Sequence, residues 1–302
     1  LERNIGTNFK SCVIKTTEKE ITCLTNKKGK TTRLEKPLNI KAGADIGAVA
    51  GINTSASKNY ILSEGNPVPF LVFLGIMTDD GKVISKRYDK FRQINRFLEF
   101  IDDIIPQVLK LKKENGEDEK IKIIDFGCGK SYLTFAVHYY LTQIKKLPCQ
   151  IEGLDIKKDV IDYCNDITKK LNLKNLHFSC GHIEDYDLSK EKENTPDLII
   201  TLHACDTATD YALEYAVEKN TKAILSVPCC QHQINTELSK KGTNKDTVLE
   251  PLLKWGLIRE KFSSLLTDAL RGQWLEKSGY TVQMLEFIDE EHTPKNILIR
   301  AV

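Results

Sequence analysis

The sequence predicts an α/β fold: a doubly wound sheet of seven strands, one of them reversed, preceded by a small β-rich module. Three observations carry that reading. Ile121 to Ile124 form a short apolar run ending in Asp125 and a glycine turn, after which Leu133, Val137, Tyr140 and Leu141 recur with helical spacing. Downstream, apolar strand-like runs alternate with amphipathic helical ones. The chain then closes on two alternating segments, 280–288 and 296–302, that read as an antiparallel hairpin.

In order along the chain, residues 1–85 read as the β-rich module. Segments 9–16 and 20–24 alternate in strand fashion around a Thr/Glu/Lys turn, and 31–36 adds a third strand. Residues 41–58, rich in Gly, Ala and Ser without periodicity, read as loop or linker. The apolar run 68–77 predicts a buried strand, and Asp79-Asp80-Gly81-Lys82 a turn into a hairpin. A second domain is expected over 86–302. It opens on a helix over 86–113, because Phe91, Ile94, Phe97, Leu98, Ile101, Ile104 and Ile105 keep a 3.6-residue period. Pro106 should kink or break that helix, having no N–H to donate. The helix's polar side carries Lys90, Arg92, Gln93, Asn95 and Arg96, facing a ligand site, RNA or solvent. After the glycine turn, 150–155, 176–180, 197–202 and 223–227 read as further strands, and 157–171, 247–255 and 263–278 as helices.

Composition narrows the class. The chain has 302 residues, 28% of them charged, and its longest apolar run, 68–77, is far short of a membrane span of about 20 residues. Nine scattered cysteines make no small-domain disulfide framework and suit a reducing cytoplasm. No secretory signal is visible, and a start at Leu1 rather than Met suggests a truncated module. The net charge of +2 is uneven. Residues 1–90 carry 15 Lys and Arg against 9 Asp and Glu, or +6, and residues 91–302 carry 29 against 33, or −4. A basic annex on a near-neutral body fits a polyanionic substrate, or simply a solvated lysine-rich surface.

The chemistry starts at Asp125-Phe126-Gly127-Cys128-Gly129-Lys130-Ser131. A strand leading through glycines into a helix is the front of a nucleotide-type site, because glycines let a ligand approach the backbone. A third glycine in GxGxxG spacing is missing, and so is a GxxxxGK[ST] phosphate cradle. Instead an acid, Asp155, ends the next strand, where it can accept hydrogen bonds from a ribose. This D-x-G-x-G turn with a later strand-end acid resembles the S-adenosylmethionine site of class I methyltransferases, whose Rossmann-like seven-stranded sheet is then the expected architecture. The resemblance implies that Asp125, Gly127 and Gly129, with Lys130 and Ser131, hold the methionine end, and Asp155 the ribose hydroxyls. After the third strand, where that family often places an acid against the adenine amino group, this chain has His182, so the role passes to Glu184 or Asp185.

Past the fourth and fifth strands stand Leu202-His203-Ala204-Cys205-Asp206-Thr207-Ala208-Thr209-Asp210 and Val227-Pro228-Cys229-Cys230-Gln231-His232. Ligands bind at the carboxyl ends of such strands, so both segments should border the methyl donor. Four readings stay open: a zinc site, though adjacent cysteines are not a CxxC clamp; a cysteine nucleophile adding to a pyrimidine carbon; cysteines packed as small apolar residues; or direct transfer, with His203, Asp206, Asp210 or His232 orienting a hydroxyl or amine. HxCxxxTD and CCxH, here His203, Cys205, Thr209, Asp210 and Cys229, Cys230, His232, resemble tRNA acceptor-stem 2′-O-methyltransferases. Those enzymes carry a second histidine where this chain has Gln231. DFGCGKSYLTFA, LHACDTATD, VPCCQH and EHTPKN resemble a methyltransferase-domain family with bacterial and eukaryotic members. Outside these motifs, His292, Lys295 and Asn296 in the closing turn are candidate substrate contacts, and Arg271 meets either a phosphate or a surface carboxylate. The expectation is a cytoplasmic S-adenosylmethionine-dependent methyltransferase acting on RNA (tRNA or rRNA), with no resident metal. A protein or small-molecule substrate, or an RNA-binding protein that keeps the fold without transfer activity, are the alternatives.

Overall fold

The computed structural model describes residues 11–15, 19–25, 30–37, 60–184, 186, 195–202, 204, 206–229, 231–240, 248–288 and 296–302. The chain divides into two compact units, Leu1–Lys58 and Asn59–Val302. In the first, β1 (Ser11–Lys15), β2 (Lys19–Thr25) and β3 (Thr31–Pro37) pair antiparallel in the order β1-β2-β3. Ile21 and Cys23, two apart on β2, are buried, while Thr31 to Glu35 on β3 are exposed. The expected linker, 41–58, lies outside the described residues.

The boundary falls earlier than residue 85. Leu62, Val68, Phe70, Leu71, Ile76 and Met77 share one core with Phe91, Ile94 and Phe97, which ties this segment to the sheet domain. The run 68–77 is also not a strand. Pro69 stands at the first position of a short helix, α1 (Pro69–Phe73), where its fixed φ suits helical geometry. The carbonyl of Leu71 accepts the N–H groups of Ile76 (2.9 Å) and Met77 (3.1 Å), so the chain folds back before an isolated Met77–Val83 bridge. An unbroken apolar run carries no period, so its geometry follows the proline and the burial.

The long helix α2 (Tyr88–Glu114) runs through Pro106 without a break. Pro106 is on the exposed side, and the Asp103 carbonyl next to the disrupted turn accepts from Gln107 Nε2 at 3.2 Å. The remaining elements are β4 (Ile121–Phe126), α3 (Tyr132–Tyr139, extended by a π-helical turn at Tyr140–Ile144), β5 (Cys149–Asp155), α4 (Lys158–Lys170), β6 (Leu176–Cys180), β7 (Leu198–Thr201), α5 (Thr207–Glu218) and β8 (Ala223–Ser226). They are followed by α6 (Gln233–Ser239), α7 (Glu250–Leu253), α8 (Gly256–Lys277), β9 (Val282–Glu286) and β10 (Ile297–Ala301). Helix α8 thus begins earlier than its periodicity suggested.

The seven-stranded sheet runs β6-β5-β4-β7-β8-β10-β9. The first five pair parallel, and β10 lies antiparallel to both β8 and β9, which makes it the one reversed strand. One face packs on α2, α3 and α4, the other on α5 and α8. Strand order turns around between β4 and β7, the kind of position at whose carboxyl edge open α/β sheets bind their ligands. The opposite edge is held by a buried ion cluster: Lys112 Nζ lies 2.9 Å from Asp197, which also takes Lys222 at 3.0 Å. Among the described residues no helix is long and apolar enough to cross a membrane, and Cys23, Cys128, Cys149, Cys164, Cys180 and Cys229 are free thiols.

Candidate functional site

At the end of β4 the chain turns through Gly127 (φ 71°), Gly129 (φ 53°) and Ser131 (φ 57°), three left-handed residues in five. The N–H groups of Gly127 and Cys128 donate to the Leu154 carbonyl (2.8 and 3.1 Å), drawing the turn against the end of β5. Asp155 completes the closure: its Oδ2 accepts the Gly129 N–H at 2.9 Å and its Oδ1 the Lys157 N–H at 3.0 Å. Gly153 permits this approach, since a Cβ there would lie 2.4 Å from Phe178 Cδ1 and 3.1 Å from Cys128 Sγ. Beneath the turn, Cys164 Sγ donates to Ser131 Oγ at 3.4 Å. Lys130 is exposed at the tip, and Glu184 is exposed in the turn after β6.

Asp125 is buried, and its Oδ2 accepts the Thr134 hydroxyl at 2.5 Å. Burial, reinforced by the charge of Asp155, raises its carboxyl from 3.8 to about 7 against the lowering hydrogen bond from Thr134. The folded state therefore binds an extra proton between pH 4 and 7. The stability this contributes is full below the unfolded value and lost as pH rises to the folded one. Asp125→Asn, which stays neutral, should flatten that loss. Urea midpoints from pH 4 to 8 should show the variant gaining on wild type as pH rises; a constant offset would assign the proton elsewhere.

These residues suit S-adenosylmethionine. A Cβ on Gly129 would meet nothing within 4 Å, so the turn is open on its outer side. Asp155 uses one acceptor site on each oxygen and keeps others for a diol, a carboxylate having about four.

The loops after β7 and β8 adjoin, as their parallel pairing requires. Asp206 (φ 52°) takes the His232 N–H on Oδ1 at 3.1 Å, bonding the two loops directly. His232 is exposed and Cys229 half-buried. His203, Cys205, Cys230 and Asp185 lie outside the described residues, as do His292 and Lys295. Thr209, buried, donates its hydroxyl to the Ala204 carbonyl at 2.8 Å, a local structural bond.

Two readings are corrected here. Arg271 does not await a phosphate, nor does it meet a surface carboxylate alone. It is 5% exposed and grips Asp210 bidentately, Nε to Oδ1 at 2.7 Å and Nη2 to Oδ2 at 3.0 Å, while Nη1 reaches buried Asp268 at 3.1 Å. Asp210 is thereby engaged through both oxygens. Asp268 also receives Gln231 Nε2 at 3.0 Å, and Gln231 Oε1 takes the Ser264 hydroxyl at 2.8 Å. The glutamine that departs from the CCxH-type histidine pattern is thus part of a buried network linking α5, α8 and the loop after β8. Asn296 is likewise not a free substrate contact: it is buried, donating to Glu286 Oε1 (3.1 Å) and the Ile288 carbonyl (2.8 Å) across the closing hairpin. Sequence reasoning missed Thr134, Gly153 and Asp268. A threonine at the start of a helix following a strand-end acid was the one signal available for Thr134.

Residues 89–237 match a family model described as a methyltransferase domain. Curated relatives named glutathione S-transferase C-terminal domain-containing protein, from Homo sapiens and Macaca fascicularis, are each 23% identical over 201 residues. That alignment takes in 60% of this chain and 30% of theirs, so the chain spans about a third of the relatives it matches. Among solved structures, an rRNA methylase from Streptococcus thermophilus aligns with TM-score 0.40 and 10% identity over 68% of this chain and 93% of its own. A SAM dependent methyltransferase from Aquifex aeolicus aligns with TM-score 0.35 and 17% identity over 69% and 97%.

Proposed function

We propose that residues 59–302 form an S-adenosylmethionine-dependent methyltransferase. The observation that carries this reading is the glycine turn closed onto Asp155 at the point where strand order reverses, and the family match over 89–237 supports it. When bound, S-adenosylmethionine supplies an electrophilic methyl on a sulfonium sulfur. Asp155 would hold the ribose diol, while Asp125 and the Gly127–Ser131 turn form the floor beneath the amino-acid end. The acceptor would lie between the loops after β7 and β8, which are tied together by the His232 N–H donating to Asp206 Oδ1. For a hydroxyl acceptor His232, or His203, takes the proton; for a pyrimidine carbon Cys229 or Cys230 is the nucleophile. Cys205 stays a candidate catalytic residue in this reading, and Asp210 is assigned to positioning through Arg271.

The substrate in this reading is RNA, tRNA or rRNA, supported by the +6 charge of residues 1–90. A cytoplasmic setting agrees with the free thiols among the described cysteines. Transfer of labelled methyl groups to total RNA, weakening steeply with salt, is the expected result; labelling of a protein fraction instead would move the substrate class. A covalent adduct with fluoropyrimidine RNA would assign the cysteine route, and labelled RNA without an adduct the histidine route.

A further inference from the structure

The first turn of α2 reaches the end of the glycine turn, far from it in sequence. There Lys90 Nζ stands 5.4 Å from the ring centroid of Tyr132, the residue that follows Ser131. Its hydrogen-bond partner is the neutral Gln93 Oε1 at 2.5 Å. Burial, and the like charge of Arg87, hold the Lys90 ammonium below the ordinary lysine range, and among the described residues no carboxylate counters them. Other sheltered lysines of the domain behave differently: Lys112 and Lys222 both sit on Asp197 and Glu117. A half-buried cation without a counter-ion is costly unless an anion arrives to pair with it.

The geometry points to Lys90 as the anchor for the α-carboxylate of S-adenosylmethionine, an inference that rests on the methyl-donor reading above. Gln93 accepts from Lys90 through its oxygen, which leaves its NH₂ to donate to the same carboxylate. The Tyr132 ring backs the ammonium on one side and favours its charged form. The amino-acid end of the ligand is a zwitterion, and the site is polarised to match. Asp155 supplies negative charge on the sheet side of the turn, Lys90 a positive group on the helix side.

Decarboxylated S-adenosylmethionine, which keeps the sulfonium, ribose, adenine and amine, isolates this contact. Calorimetric titration should show wild type binding S-adenosylmethionine roughly 10- to 100-fold more tightly than the decarboxylated form, the range of one charge-assisted bond. Lys90→Met should lose that preference by weakening the first ligand alone, while Lys90→Arg keeps it. The melting temperature of Lys90→Met should hold or rise, since an uncompensated charge is removed; a purely structural lysine would lower it. Equal weakening of both ligands, or an unchanged preference in Lys90→Met, would overturn the assignment. Wild type that binds neither ligand would overturn the methyl-donor reading itself, a separate and recognisable failure.

Discussion

Asp155→Ala should reduce S-adenosylmethionine affinity by roughly 100-fold or more, because a diol held by a carboxylate makes two charge-assisted bonds. The same change frees the Gly129 and Lys157 N–H groups that now converge on this side chain. The turn would lose its tie to β5 as well as its ligand contact. Both N–H groups belong to partly exposed residues or better, so water can replace the carboxylate and the fold should lose only about 1 kcal/mol. Titration of ligand into a variant whose melting curve is near wild type is the decisive measurement. Undiminished binding would remove Asp155 from the site. Asp155→Asn, which keeps one oxygen acceptor, should fall between the two.

Arg271→Met should destabilise the domain by about 3–5 kcal/mol, since it strips the cation from two carboxylates. The two are not equivalent. Asp210 is half-exposed and can be hydrated, whereas the Asp268 side chain is 5% exposed. Burial already raises the Asp268 carboxyl, against the opposing pull of Gln231 and Arg271. With the guanidinium gone it would rise further, so the variant's deficit should shrink as pH falls and Asp268 takes up a proton. Thermal unfolding of Arg271→Met at acid and alkaline pH checks this, and adding Asp268→Asn should recover much of the loss. A pH-independent deficit would assign the damage to packing alone. Arg271 Nη2 also donates to the Asp206 carbonyl at 2.9 Å, so its removal should loosen the loops that flank the proposed acceptor.

Local chemistry made the half of the domain around the glycine turn legible. The Ile121–Phe126 strand, its left-handed glycines and the acid ending the next strand follow from side-chain period and from the backbone freedom of glycine, both short-range properties. The reversed closing hairpin was readable for the same reason. The run 68–77 was not, because uniform hydrophobicity has no period and the core it joins, on α2, decides its shape. Pro106 did not break the helix, because the cost of a proline depends on which side of the helix it faces. The partners of Arg271, Gln231 and Asn296 could not be read from sequence at all. Each is a polar group whose role was set by which helix or strand end came to lie beside it. Sequence alone therefore determined the sheet, its order of elements and the glycine turn that a strand-end acid closes. Tertiary structure alone decided which charges are spent on one another and which, like Lys90, are left to meet a ligand, because desolvation and pairing exist only once distant segments pack.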